Sequence, residues 1–472
     1  GMMHFDQLTP RLRTSLGAIA LLIALPLTFV ASRVPFLAAV GVLGLSAFFL
    51  FLRQPLWGAL SIIFLLPFER IGSVTVGGTT IRPSQVVALV LLGAWLVRSA
   101  WRGKLSWRPM PLIWPLIIFV AVSALGLTHA ENMSRGVMVF AFTVFTLLVG
   151  MLIPQVITTE HDARRALHVL SITTFLVTAF GLFQFLGDLA GLPPSLTGLR
   201  DLYTKAVLGF PRVQSTALEP LYFANFLLLP LSLLTAQLFG KVRMSGALGI
   251  PLLLLAGVAF VLTVARGGYL GFVAALLVIF ALSWRYVLHP GRILAFVGTG
   301  AVVGLLALQL LSGGTDGLSS RKFTEHITNL FTGASYEERV ATFETAKRAF
   351  AEQPYIGVGP GQFGPYASTN PNVTPKEGWK IVNNLPLELL AETGAIGFGA
   401  IAVAFLILFL RSMRALVAAP SPLLRALLVG GTAAIVGMLV QYQTFSILYI
   451  MHVWVAIGLL VAFQNIALKK NT

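Results

Sequence analysis

TVARGGYLGFVAALLVIFALSWR, residues 263–285, decides the fold class. Tyr269 to Trp284 is an uncharged, mostly apolar run, and at about 1.5 Å per residue a helix of that length crosses most of a bilayer's hydrocarbon core. Arg266 stands before the run and Arg285 after it, so charge is confined to the ends, where it can reach headgroups and water. Comparable runs recur at approximate spans 15–31, 34–52, 55–68, 85–101, 111–127, 137–153, 167–186, 217–239, 246–264, 269–284, 293–311, 394–410, 426–441 and 444–463. Only helices and closed barrels satisfy every backbone group in lipid, and runs this apolar are not the alternating pattern of a barrel. The expected fold is therefore all-α: a polytopic membrane bundle of about 12 to 14 transmembrane helices.

Composition agrees, with 57% hydrophobic and 11% charged residues among 472. The net charge of +16 does not indicate a nucleic-acid partner, because the basic residues gather in alternate short loops, as orientation in a membrane requires. Those loops hold Arg98, Arg102, Lys104 and Arg108, then Arg164 and Arg165, then Lys241 and Arg243, then Arg285 and Arg292, then Arg411, Arg414 and Arg425. Placing them inside puts both termini in the cytoplasm. The expected location is a bacterial inner membrane, with membrane lipids as neighbours and with the 187–216 loop, Arg266 and the 312–385 insertion on the periplasmic side. Ser15 to Ala31 leads straight into another span and is read as a transmembrane helix, not a cleaved signal. The chain has no cysteine, which rules out disulfides, thiolate metal sites and a cysteine nucleophile.

The insertion balances its basic residues with acidic ones and should fold as a helical cap. This suggests three segments: membrane helices over 1–311, a periplasmic cap over 312–393, and C-terminal membrane helices over 394–472. The clearest cap helix runs from about Tyr336 to Ala351, with Val340, Phe343, Ala346 and Phe350 on one stripe and Pro354 ending it. GVGPGQFGPY (357–366) lacks the Lys-Ser or Lys-Thr pair of a phosphate loop and reads as a tight turn that lets backbone approach helix tips. In VNNLPLELLAETGAIG (382–397), Asn383 and Asn384 cap a helix entry and Gly394 breaks the helix.

Two arginines stand at outer helix edges, Arg212 in PRVQSTALEP and Arg266 in TVARGG. A guanidinium at a bilayer edge marks a polar substrate, and its planar fork of donors suits phosphate. Snorkelling to headgroups is the plainer reading for either one alone. Glu219, at the start of an apolar span, is either a proton acceptor or a partner for Arg212. His326 is a reserve base, and Gln441 and Tyr442 are candidates to line a sugar site. No Asp-x-Asp or His-Glu-x-x-His pattern supports a metal, and no cofactor is expected.

Taken in order, RVQSTALEP, VARGG, EERVATFETAKRAF, QPYIGVGPGQF and NNLPLELLAETGAIG resemble the O-antigen ligase and O-antigen polymerase superfamily, membrane glycosyltransferases of the GT-C type. The resemblance spans about Phe210 to Gly397. It implies metal-independent, inverting transfer of a glycan from an undecaprenyl diphosphate carrier to an acceptor hydroxyl at the periplasmic face. It also implies that Arg212 and Arg266 hold the lipid diphosphate and act in catalysis, with Arg339, Asn383 and Asn384 at the substrate. Ligases show His-Asn where this chain has Asn383-Asn384, and an amide cannot accept a proton at neutral pH. The departure shifts the reading to a cell-surface polysaccharide polymerase with a lipid-linked glycan as acceptor. The alternatives are a ligase that uses lipid A core, and a lipid-linked glycan transporter.

The alternation of basic loops predicts the side of the insertion. A cysteine replacing Ser335, the sole thiol in a chain without native cysteine, should react with a membrane-impermeant maleimide in intact cells. Labelling only after the inner membrane is broken would reverse the topology.

Overall fold

The computed structural model describes residues 35–76, 79–101, 108–200, 211–240, 242, 249–287, 289–312, 334–368 and 378–469. The expected first span, His326, and the basic residues Arg102, Lys104, Lys241 and Arg243 lie outside the described residues. The protein is a helical membrane protein: eight described helices are long and apolar enough to cross a bilayer, and shorter apolar helices accompany them. The chain divides into two compact units, Gly1–Ile62 with Val74–Ser106, and Ile63–Ser73 with Trp107–Thr472.

The smaller unit contains α1 (Pro35–Arg53), most of α2 (Pro55–Leu65), and α3 (Pro83–Trp101). Arg98 of α3 donates to the carbonyls of Leu52 and Arg53 at 2.8 and 3.0 Å, supplying the last turn of α1 with the donors it lacks. A two-stranded antiparallel hairpin precedes α3, pairing Val74 with Ile81 and Val76 with Thr79. It was not expected from the sequence, although β-branched residues flanking Gly77-Gly78 are a hairpin signal.

The larger unit begins with α4 (Ile113–Gly126), α5 (Met133–Val156), α6 (Glu160–Leu189), α7 (Pro220–Phe239) and α8 (Gly249–Leu262). It continues with α9 (Arg266–Val287), α10 (Pro290–Ser312), α11 (Ala334–Glu352), α12 (Leu385–Ala418), α13 (Pro422–Gln441) and α14 (Met451–Ala467). Local signals set the boundaries. Thr159 and Asp162 form a reciprocal capping box at the start of α6, each bond 3.1 Å. Ser421 caps α13 by accepting from the Leu424 N–H at 3.1 Å, with Pro422 in the first turn.

At the centre α13 packs against both α7 and α9, while α5 packs against α14. Lipid tails are as apolar as leucine, so close backbone packing replaces the hydrophobic drive between helices. At the α9–α13 crossing, a Cβ added to Gly271 would stand 2.5 Å from the Gly437 carbonyl oxygen, and one on Gly437 2.7 Å from that of Gly271. No other residue fits at that separation.

Three boundaries depart from the sequence reading. The expected span 55–68 stops at Leu65, because the Glu69 and Arg70 N–H groups are drawn to the Thr216 carbonyl. The helix expected from 444 starts at Met451, since residues 442–446 make contacts with other elements instead. The cap helix is longer than expected, and its buried face centres on Ala346 and Ala349 with Phe343 beside them; Val340 is 42% exposed. These residues pack on the short Phe363–Ala367 helix and on Ala391 of α12.

Gly394 breaks α12 with φ 63° and ψ −170°, and a Cβ there would run into the Tyr355 carbonyl. Gly394→Ala should lower thermal stability in detergent by roughly 1–3 kcal/mol from backbone strain alone. Gly399→Ala, where nothing lies within 4 Å, is the control and should be neutral or stabilising. Equal melting temperatures for the two variants would contradict the break.

Candidate functional site

The link 211–219 enters α7 through Pro220, and its Arg212 side chain crosses to the far end of α8. Arg212 Nε donates to the Thr263 carbonyl at 2.9 Å and Nη2 to the Val264 carbonyl at 3.1 Å, while the Val213 N–H reaches the Leu262 carbonyl at 2.9 Å. Carbonyls at a helix C-terminus have no intrahelical donors, and a cation there also meets the favourable end of the helix dipole. Val264 holds φ 49°, an uncommon conformation for a β-branched residue. That bend ends α8 and starts α9 on Arg266.

Burial pushes the Arg212 guanidinium down to about 10; Tyr269 and Glu219 oppose the shift and Arg266 adds to it. The side chain remains charged at neutral pH. Arg339's charge acts in turn on Arg266. Arg339 is half-buried on α11, held below the ordinary arginine value by burial, with Glu338 acting the other way. The three arginines expected from the sequence are thus electrostatic neighbours in succession. Glu219 is the N-cap residue of α7 with no side-chain capping bond, and its charge reaches Arg212.

The two asparagines divide their work. Asn384 caps α12, accepting from the Leu387 N–H at 3.1 Å and donating to Gln443 Oε1 at 3.1 Å. Asn383 does not cap. It adopts φ 58° and its N–H donates to Ser446 Oγ at 3.1 Å. Asn and His are among the residues that tolerate this left-handed conformation best, so the backbone can accept either side chain here.

Residues 442–446 tie the asparagines to the arginines. The Tyr442 carbonyl accepts the Leu385 N–H at 2.8 Å, and Thr444 lies so close to Gly267 that an added Cβ would overlap its side chain. Ser446 also donates to the Glu388 carboxylate, which takes the Val382 N–H at 2.8 Å. Gln441 and Tyr442, the candidates for a sugar site, are interior residues. Both are buried, Gln441 with Asn225 and the Leu221 carbonyl, Tyr442 with the Ile447 carbonyl.

Glu388, Glu392, Arg135 and Ser446 were missed by sequence reasoning. Glu392 accepts the Gly361 and Phe363 N–H groups at 2.9 and 3.0 Å, while Val358 and Gly359 donate to the Ala391 and Glu392 carbonyls. Gly357, Gly359 and Gly361 all take positive φ to make this turn. Its Gly361 and Phe363 donors are committed to a carboxylate, which agrees with a packing turn and not a phosphate cradle. Arg135 Nε donates to the Gly361 carbonyl at 2.7 Å from the other side. The available signal was the four-residue spacing of Glu388 and Glu392, which places both carboxylates on one helix face.

The comparison with known families falls on the stretch from α8 into α12. Residues 251–402 match the O-antigen ligase family model. The match supports the O-antigen ligase and polymerase family to which the motifs pointed, and with it an enzyme. It contains Arg266, Arg339, Asn383, Asn384, Glu388 and Glu392, while Arg212 and Glu219 precede it. No curated protein matches the chain.

Lysine substitution tests Arg212 and Arg266 in turn. Arg212→Lys removes a forked bond to two carbonyls and should cost about 1.5–3 kcal/mol of stability as well as activity. Arg266→Lys should lose roughly 2–4 kcal/mol of transition-state stabilisation, if its fork meets a developing phosphate charge. A folded and fully active Arg266→Lys enzyme would remove Arg266 from the chemistry.

Proposed function

We propose that the protein is a metal-independent, inverting GT-C glycosyltransferase that polymerises a cell-surface polysaccharide. The donor is a glycan on undecaprenyl diphosphate, the acceptor a hydroxyl of a second lipid-linked glycan, and the site lies on the periplasmic side of a bacterial inner membrane with both termini in the cytoplasm. In this reading residues 312–393 cap a membrane domain formed by 1–311 and 394–472. The observation that carries it is the succession of charges Arg212, Arg266 and Arg339, with residues 442–446 touching both Gly267 beside Arg266 and the backbone of Asn383, a position that offers an amide and not an imidazole.

The chemistry follows from charge. The acceptor oxygen attacks the anomeric carbon from the face opposite the leaving group, and the bond from that carbon to the phosphate oxygen breaks. Negative charge grows on the diphosphate, where guanidiniums in a water-poor setting stabilise it most. The acceptor proton passes to a base, for which Glu219 is the carboxylate nearest in charge to Arg212. Asn383 and Asn384 position the entry to α12 at the substrate. A second reading, ligation to lipid A core, is favoured by the description of the matching family as O-antigen ligase.

Purified protein given defined lipid-linked repeats should form ladders by mass spectrometry without lipid A core; a single addition that requires the core would establish the ligase. In the same assay Asn383→Gly, which keeps the left-handed backbone, should be milder than Glu219→Gln, which keeps shape but removes the base. The reverse ranking would assign the chemistry to the Asn383 side chain.

A further inference from the structure

A cavity of about 40 Å³ lies among α4, α5, the first turns of α12 and residues 446–449. Asn383 reaches its wall, since the Asn383 N–H donates to Ser446 Oγ at 3.1 Å and Ser446 lines the cavity. Glu388 and Glu392 line it from α12, Ser123 from α4, and Phe119, Phe140 and Leu448 make part of the wall apolar. Both glutamates are half-buried and Ser123 is 3% exposed, so the cavity opens on the side of the carboxylates and has Ser123 at its back. One water needs roughly 10–15 Å³, so the space suits a water or two, or a group of that size.

The polar groups of the wall are not all spent. Thr143 and Thr393 donate to the Val139 and Leu389 carbonyls one turn back in their own helices, each at 2.7 Å, the usual bond of a helical hydroxyl. Ser446 donates to Glu388. Ser123 Oγ has no hydrogen-bond partner, although it is buried. A buried hydroxyl left unpaired costs free energy, and in a native structure it calls for a reason. On the acceptor side, the Val382 N–H and Ser446 Oγ both bond to Glu388 Oε2, which leaves Oε1 available to the cavity.

One donor and one acceptor across a small cavity are the complement of an alcohol, whose oxygen accepts one bond while its hydrogen makes another. A metal cation is matched less well. Both Glu392 oxygens already take backbone N–H groups, and Arg135, fixed on the Gly361 carbonyl, brings a positive charge to the same two carboxylates. A sugar ring exceeds 40 Å³, whereas a hydroxyl or hydroxymethyl arm does not, and the apolar wall suits the C–H groups beside it. We propose that this cavity is a glycan subsite, in which one hydroxyl of the lipid-linked glycan donates to Glu388 and accepts from Ser123. The assignment rests on the glycosyltransferase reading above, and it gives Asn383 a recognition pocket as its neighbour.

The test separates the glycan from its carrier. Full-length protein in phosphatidylcholine nanodiscs is titrated with bare undecaprenyl diphosphate and with the lipid-linked repeat purified from cells that lack the protein. Ser123→Ala should weaken binding of the repeat about fivefold or more and leave the bare carrier within about twofold, the loss of one hydrogen bond. Its melting temperature should be unchanged or raised, because the hydroxyl has no protein partner to lose. Glu388→Gln, whose amide oxygen can still take the Val382 N–H, should weaken the repeat by at least as much, and it decides by the same ratio if Ser123→Ala fails to fold. In turnover with donor and acceptor varied separately, the KM that rises in Ser123→Ala shows which glycan enters; no rise in either would overturn the subsite. Unchanged binding of the repeat to Ser123→Ala would also overturn it and leave the cavity to water, and equal weakening of repeat and carrier would count against it too. Wild-type protein that binds neither ligand refutes the glycosyltransferase reading itself.

Discussion

The Arg212 guanidinium on the Thr263 and Val264 carbonyls is the contact on which the turn from α8 into α9 depends. In lipid, irregular backbone is tolerated only where the protein itself satisfies its polar groups. The chain between α8 and α9 is irregular, with a left-handed valine, and its carbonyls sit where the α8 hydrogen bonds have run out. One planar side chain answers both. Because Arg212 is anchored from behind in this way, its charge is held in a fixed place beside Arg266, the geometry an anion-binding group needs.

The same solution recurs. Glu392 receives two N–H groups of the glycine turn, Glu388 receives the Val382 N–H, and Glu69 receives the Leu218 N–H. Carboxylates satisfy donors where Arg212, Arg98 and Arg135 satisfy acceptors. Several charged residues in this protein therefore complete the backbone of non-helical segments, and Arg212 is one of them.

Residues 442–446 are the other constraint. They meet the start of α12 through Leu385 and Asn383, and the start of α9 through Gly267. This segment thus links the Asn383 backbone to the residue that follows Arg266. Its departure from helical form has the same cause, since backbone engaged by two other elements cannot also close its own i to i−4 bonds.

Read alone, the residues determined the membrane class, most helix positions, the break at Gly394 and the cap at Asn384. These are local matters: uncharged run length, capping chemistry and a glycine where a Cβ cannot go. Tertiary structure decided which arginines are neighbours, that Asn383 is a backbone device and not a cap, and that Tyr442 and Gln441 are interior. It also decided that Glu388 and Glu392 serve backbone groups. Each of those depends on partners far away in the chain, and hydrophobic periodicity says which face of a helix is apolar but not which helix it will find.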